Sequence, residues 1–128
     1  GSVTDQGLPF YGAEITYKLP FECDGGDIRI TQDYYCGAVI GVKLDGKDVG
    51  KIAFAPFNLD VGNVAKGKHE LALTLYATRI NTCGALHDCT DRAWKGANMW
   101  YTTGAEWSYE YNLKPVGIMK SPEIKIYK

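Results

Sequence analysis

In the stretch His69–Ala77 leucine returns at every second position, as Leu71, Leu73 and Leu75, with Glu70, Ala72, Thr74 and Tyr76 between them. A period of two marks an extended strand with one buried face, because successive side chains leave a strand on opposite sides. The same pattern recurs along most of the chain. Within Phe10–Phe21, Ile15, Tyr17 and Leu19 alternate with Glu14, Thr16 and Lys18, and Asp27–Thr31 carries Ile28 and Ile30 on one side. Ala38–Leu44 runs into Asp45-Gly46, the pair best suited to a two-residue type I′ turn, so a hairpin is expected with its partner strand over Lys47–Ala53. Phe54–Val61 contains Pro56, which suits an edge strand. The Leu-alternating strand, opened by the turn Lys66-Gly67-Lys68, is expected at the centre of a sheet. Alternation returns in Glu106–Leu113 and in Glu123–Tyr127, whereas no segment of ten or more residues carries a helical stripe. The expectation is an all-β chain, a β-sandwich or jelly roll of about eight antiparallel strands.

A chain of 128 residues, 45% hydrophobic and 23% charged, suffices for one domain with its own core. Gly1-Ser2 reads as the remnant of a cleaved tag, residues 1–6 as a flexible lead-in, and residues 7–128 as the single module. A net charge of -1 argues against nucleic acid and against a charged membrane surface as partners. No run approaches the ~20 apolar residues of a membrane-spanning helix. Cys23, Cys36, Cys83 and Cys89 allow three pairings, and the alternatives are buried thiols or one disulfide, with the short Cys83–Cys89 loop the readiest. Cys83, His87 and Cys89 lack the paired spacing of a structural zinc site. Structural calcium is a further possibility, with Asp24, Asp27 and Asp33 as oxygen donors.

Residues 78–104 lose the alternation and keep Trp94 and Trp100 amid Gly, Asn, Asp and Thr. A connection of this length in a compact domain is usually functional. Of the adjacent Tyr34 and Tyr35, one is expected inward and one outward.

The order of signals in the middle of the chain carries a resemblance. Val42–Gly50 (Val-Lys-Leu-Asp-Gly-Lys-Asp-Val-Gly) precedes Phe57-Asn58-Leu59-Asp60-Val61, and then Lys66-Gly67-Lys68-His69-Glu70-Leu71 opens the Leu strand. This series resembles the galactose-binding-like jelly rolls of bacterial glycoside hydrolases, notably the family 2 sugar-binding domains. Arg79–Asp88 is similar to the Arg-Asn-x-x-Gly-Pro-His-His stretch of C-terminal domains in large bacterial glycosidases, and Tyr111–Ile118 looks like their closing Tyr-x-Leu-x-Pro-x-Gly-Leu. Cys83 and Ala85 depart from the pattern, which has an apolar residue and a proline there, so the Gly84 loop is expected to take its own shape. The resemblance implies a non-catalytic module, either binding a glycan or bracing the catalytic domain of the same parent chain, outside the cell or on its surface.

Sugar recognition needs flat aromatic faces against the C–H faces of a pyranose and polar groups for its hydroxyls. The long segment offers Trp94, Trp100 and Tyr101 with Arg79, Asn81, His87, Asp88 and Arg92, and these are the candidate carbohydrate-binding residues. Packing of the indoles against the end of the sheets is the plainer alternative. Trp107, in an alternating segment, is expected in the core or on a sheet face. A glycosidase would need paired carboxylates, for which Glu106, Glu110 and Asp88 are nominees, but outward strand positions and turns favour solvation. His69, at a strand opening beside a turn, is expected to face solvent. Catalysis by the chain itself is not expected.

Overall fold

The computed structural model describes residues 1–128. It is all-β, with nine antiparallel strands: β1 (Glu14–Cys23), β2 (Gly26–Thr31), β3 (Tyr35–Cys36), β4 (Val39–Leu44), β5 (Lys47–Ile52), β6 (Asn58–Val64), β7 (Gly67–Tyr76), β8 (Gly117–Ile118) and β9 (Glu123–Tyr127). One single-turn helix, α1 (Ile80–Cys83), interrupts the long connection. No helix is long and apolar enough to cross a membrane.

The Leu strand lies inside the four-stranded sheet β1-β7-β4-β5, as its pattern requires. Its three leucines each head a row across three strands. Leu71 stands between Leu19 and Leu44, Leu73 between Tyr17 and Val42, and Leu75 between Ile15 and Ile40. Directly opposed side chains on one face of a sheet are the unit of its stabilisation, and here the unit repeats three times. The second sheet, ordered β6-β2-β9, supplies Ile28, Ile30 and Val64 to the same buried cluster. One continuous core thus receives the inward faces of both larger sheets. β6, the Pro56-bounded strand, takes an edge.

Asp45 and Gly46 both adopt positive φ, 49° and 80°, and join Leu44 to Lys47, the geometry of a type I′ hairpin. The turn is tied back to β7. Asp45 accepts the Glu70 backbone N–H at 2.9 Å and meets His69 Nδ1 at 2.7 Å, while His69 Nε2 lies 2.9 Å from the Ala65 carbonyl. His69 therefore does not face solvent, as its place beside a turn had suggested. Its side chain is only 13% exposed. With an acceptor at each ring nitrogen, the imidazole is held protonated to higher pH than usual, mainly by Asp45, and Asp45 is lowered in return, mainly by His69.

Other expectations need correction. Residues 1–6 are not a loose lead-in: Val3 is buried, its N–H donates to the Val116 carbonyl at 2.8 Å, and Thr4–Gln6 form a 3₁₀ turn. Glu106–Leu113 forms no strand, because it meets residues 86–89 through a single bridge, Asp88 with Trp107, and a few separate backbone bonds. All four cysteines are free thiols, and of these Cys23 is buried while Cys83 and Cys89 are exposed. Asp24, Asp27 and Asp33 do not converge on a shared cation site. Asp24 pairs with Lys66, Asp27 accepts from Asn63, and Asp33 pairs with Lys120. No three His, Cys, Asp or Glu side chains gather as a metal-binding group. Tyr35 packs on the core and Tyr34 is exposed, the expected division.

Candidate functional site

The segment between β7 and β8 is mostly irregular chain, and buried polar side chains give it its shape. Asn81, in α1, is fully buried. Its amide nitrogen donates to the Lys114 carbonyl at 2.6 Å and its oxygen accepts the Lys114 N–H at 2.9 Å. Both ends of one side chain thus fasten the return strand of the loop to its outgoing turn. Asp88 does the corresponding work further along. At 1% exposure it accepts the Thr90 N–H at 3.0 Å and the Thr90 hydroxyl at 2.7 Å, receives the Tyr101 hydroxyl at 3.2 Å, and faces the Lys95 ammonium. The Lys95 and Thr90 contacts hold its carboxyl far below the usual carboxylate range. Burial, followed by the bond to Glu106, pushes Tyr101 up to about 12, so its hydroxyl remains a donor.

Above this framework both indoles turn outward. A 3₁₀ turn, Ala97–Met99, sends Met99 inward to contact Arg92 and Tyr101, and leaves Trp100 outward at 60% exposure. Trp94 is 74% exposed, and its ring lies so close over Gly96 that a Cβ there would stand 2.7 Å from Trp94 Cη2. Any larger residue at position 96 would push the indole away.

Trp100 is a wall shared by two adjoining depressions. One, of about 190 Å³, lies toward Ile80, Lys95, Asn112 and Lys114; the other, of about 230 Å³, lies toward His87, Met99, Tyr101 and Tyr111. Gly84, Ala85 and Leu86 line both. A larger depression of about 380 Å³ continues past Lys95 and Lys114 to Arg92 and Trp94. Of the eight candidate residues, Trp94, Trp100, Tyr101, His87 and Arg92 line this surface, and Arg79 is exposed at the start of α1 without lining any of the three. Asn81 and Asp88 lie beneath it. Lys114 and Asn112 line it without having been singled out in the sequence. The only signal was their place in the segment 111–118, which returns past the loop.

Two of the three nominated carboxylates are held by neighbouring side chains, and the third, Glu110, is exposed with its carboxylate unpaired. Glu106 meets Arg92 and accepts the Tyr101 hydroxyl at 2.9 Å, and Asp88 is buried. His87 meets the Ser108 carbonyl at 2.8 Å through Nδ1 and stacks at 5.6 Å on Trp107, which is half-buried. A second aromatic array starts from that pair. Trp107 continues edge-on to Tyr109 at 5.9 Å, and on its other side His87 packs 4.9 Å from Tyr111, which meets Phe10 at 5.1 Å.

Six chains of solved structures match this one. A rhamnosidase from Novosphingobium sp. PP1Y superimposes with a TM-score of 0.63 and 24% identity over 92% of this chain. A GH2 β-galacturonidase from Eisenbergiella tayi, solved bound to galacturonate, gives 0.50 with 26% identity over 71%. Both neighbours are glycoside hydrolases. This chain is similar to a small part of each, spanning 11% of the rhamnosidase and 16% of the galacturonidase. No protein-family model and no curated protein matches it.

Proposed function

We propose that this chain is a non-catalytic carbohydrate-binding module with a β-sandwich of the galactose-binding-like jelly-roll type. In this reading it belongs to a larger bacterial carbohydrate-active enzyme, working outside the cell or at its surface. The observation that carries the proposal is Trp100, an exposed indole standing between two depressions with amide and ammonium groups at their margins. An aromatic face with hydrogen-bonding groups around it fits the two-sided chemistry of a sugar ring. Trp94 extends that surface and Tyr101, His87 and Arg92 border it. Arg79, exposed but lining none of the depressions, is left to the outer part of a longer glycan in this reading, while Asn81 and Asp88 support the surface from below. The depression that Trp100 shares with Lys114 is lined by no carboxylate, which supports binding rather than hydrolysis.

Affinity electrophoresis in gels containing plant and host glycans tests the proposal. Truncating a central aromatic anchor costs about 2 kcal/mol or more, so Trp100→Ala is expected to weaken retention roughly thirtyfold with an unchanged thermal melt. Trp94→Ala is expected to weaken it less. A Trp100→Ala protein retained like wild type would remove this surface from consideration.

A second reading has its own observation. The aromatic array from Phe10 through Tyr111, His87 and Trp107 to Tyr109 leaves Tyr109 85% exposed and Tyr111 56% exposed. Such a surface also suits docking against a catalytic domain of the same parent chain, making the module a brace. In that case no glycan would retard the protein, and Tyr109→Ser would loosen its hold on the catalytic domain.

A further inference from the structure

We infer that the depression beside Trp100 selects an acidic sugar, a uronic acid residue, with the Lys114 ammonium as the anchor for its carboxylate. The inference rests on the carbohydrate-binding reading above and specifies the ligand.

Among the lysines and arginines that line the three depressions, Lys114 alone has no counter-charge. Lys95 is matched by the buried Asp88 and also donates to the Thr90 carbonyl at 2.8 Å. Arg92 is matched by Glu106. Lys114 makes no ion pair, and all its hydrogen bonds are those of its backbone to Asn81. Its charge is uncompensated although its main chain is held on both sides by a fully buried amide. A lysine on mobile chain is a poor anchor, because ordering it costs conformational entropy. Here the backbone part of that cost is already met by folding.

The surroundings strengthen the effect. The depression shared by Lys114, Lys95 and Trp100 is lined by no carboxylate, and Asp91, on the Trp94 side, is the one acid lining any of the three depressions. A concave site with walls of one sign focuses potential and attracts the opposite charge. Its volume of about 190 Å³ lies below the ~300 Å³ of drug-sized ligand pockets, which suits one ring of a chain or a branch end. A uronic acid offers both features at once, an apolar ring face for the indole and a carboxylate at the ring edge for a charge-assisted bond. A neutral hexose offers only the first.

The test uses matched pairs that differ in charge alone, trigalacturonate with its methyl ester and a glucuronate oligosaccharide with its methyl ester, titrated calorimetrically into the 128-residue chain. The free acid of at least one pair is expected to bind about tenfold tighter than its ester, the scale of one charge-assisted contact, and 0.5 M NaCl should narrow the gap. Lys114→Gln should abolish the difference between acid and ester, Lys114→Arg should keep the preference, and Trp100→Ala should weaken both forms. Equal binding of acid and ester, a preference that survives Lys114→Gln, or retention of neutral glycans alone would overturn this inference and leave the carbohydrate-binding proposal standing. Failure to bind any glycan, charged or neutral, would overturn both.

Discussion

Leu73→Ala is expected to lower unfolding stability by about 2–5 kcal/mol, the range for deleting a buried leucine from a well-packed core. Leu73 has no solvent exposure and sits mid-way along β7, between Tyr17 on β1 and Val42 on β4. The strand is paired on both edges, so its backbone cannot shift to fill the space without breaking one ladder. The cost should therefore fall in the upper half of that range, since it grows with the cavity that stays open. Urea denaturation checks this: the midpoint should fall sharply while the slope holds, because the surface exposed on unfolding hardly changes. Thr74→Ala, one residue along on the opposite face and hydrogen-bonded only to Thr16 through its side chain, should cost less than about 1 kcal/mol. If the two variants proved equally mild, the core would not be centred on the leucine rows.

Asp88→Asn should act on the loop and spare the sheets. The substitution keeps the shape of the side chain and removes the charge that faces Lys95, while Thr90 and Tyr101 still find an oxygen. Lys95, 19% exposed, would then lie against a neutral amide, and a buried charge left without its partner is the costly outcome. The expected result is faster amide exchange across residues 88–101, unchanged protection in β1, β4 and β7, and a loss of glycan retention on the order of tenfold from misplacement of Trp94 and Trp100. The pH dependence has a definite sign. Because folding lowers the Asp88 pKa, its stabilising contribution is complete above the unfolded carboxylate range and is lost progressively as pH falls from there to the depressed folded value. The wild-type loop should hold through mild acid at pH 4. In the asparagine variant the loop should be loose at neutral pH already and should lack this acid transition.

The sheets were legible because their information is local and periodic. The leucines of β7 declare a buried face, and Asp45-Gly46 specifies a turn whose backbone few other pairs can adopt. The same rule misread Glu106–Leu113. Trp107, Tyr109 and Tyr111 do alternate, but their rings engage one another, His87 and Phe10 in place of a sheet-wide core. Periodicity reports that one side of a segment is apolar and says nothing of whether a partner strand is available. Within the loop, the exposure of Trp94 could be read from Arg92 and Lys95 beside it, whereas that of Trp100, between Met99 and Tyr101, and the burial of Asn81 and Asp88 could not. A polar residue in an irregular segment serves equally well as ligand or as staple for orphaned backbone groups. Asp88-Cys89-Thr90 did hold a hint, since aspartate often accepts the backbone N–H two residues on. Lys114 went unnoticed because its significance lies in what it lacks, a counter-charge, and that emerges only once the chain is folded.

The central claim is that the surface around Trp100 receives a glycan. Its most direct test is an ¹H–¹⁵N NMR titration of the protein with the glycan that retards it most in gels. The indole N–H of Trp100 should move furthest, that of Trp94 less, and the amides of Ala85, Ala97 and Lys114 should move with them. Shifts confined to Trp107 and Tyr109, with the Trp100 indole unmoved at saturation, would contradict the account.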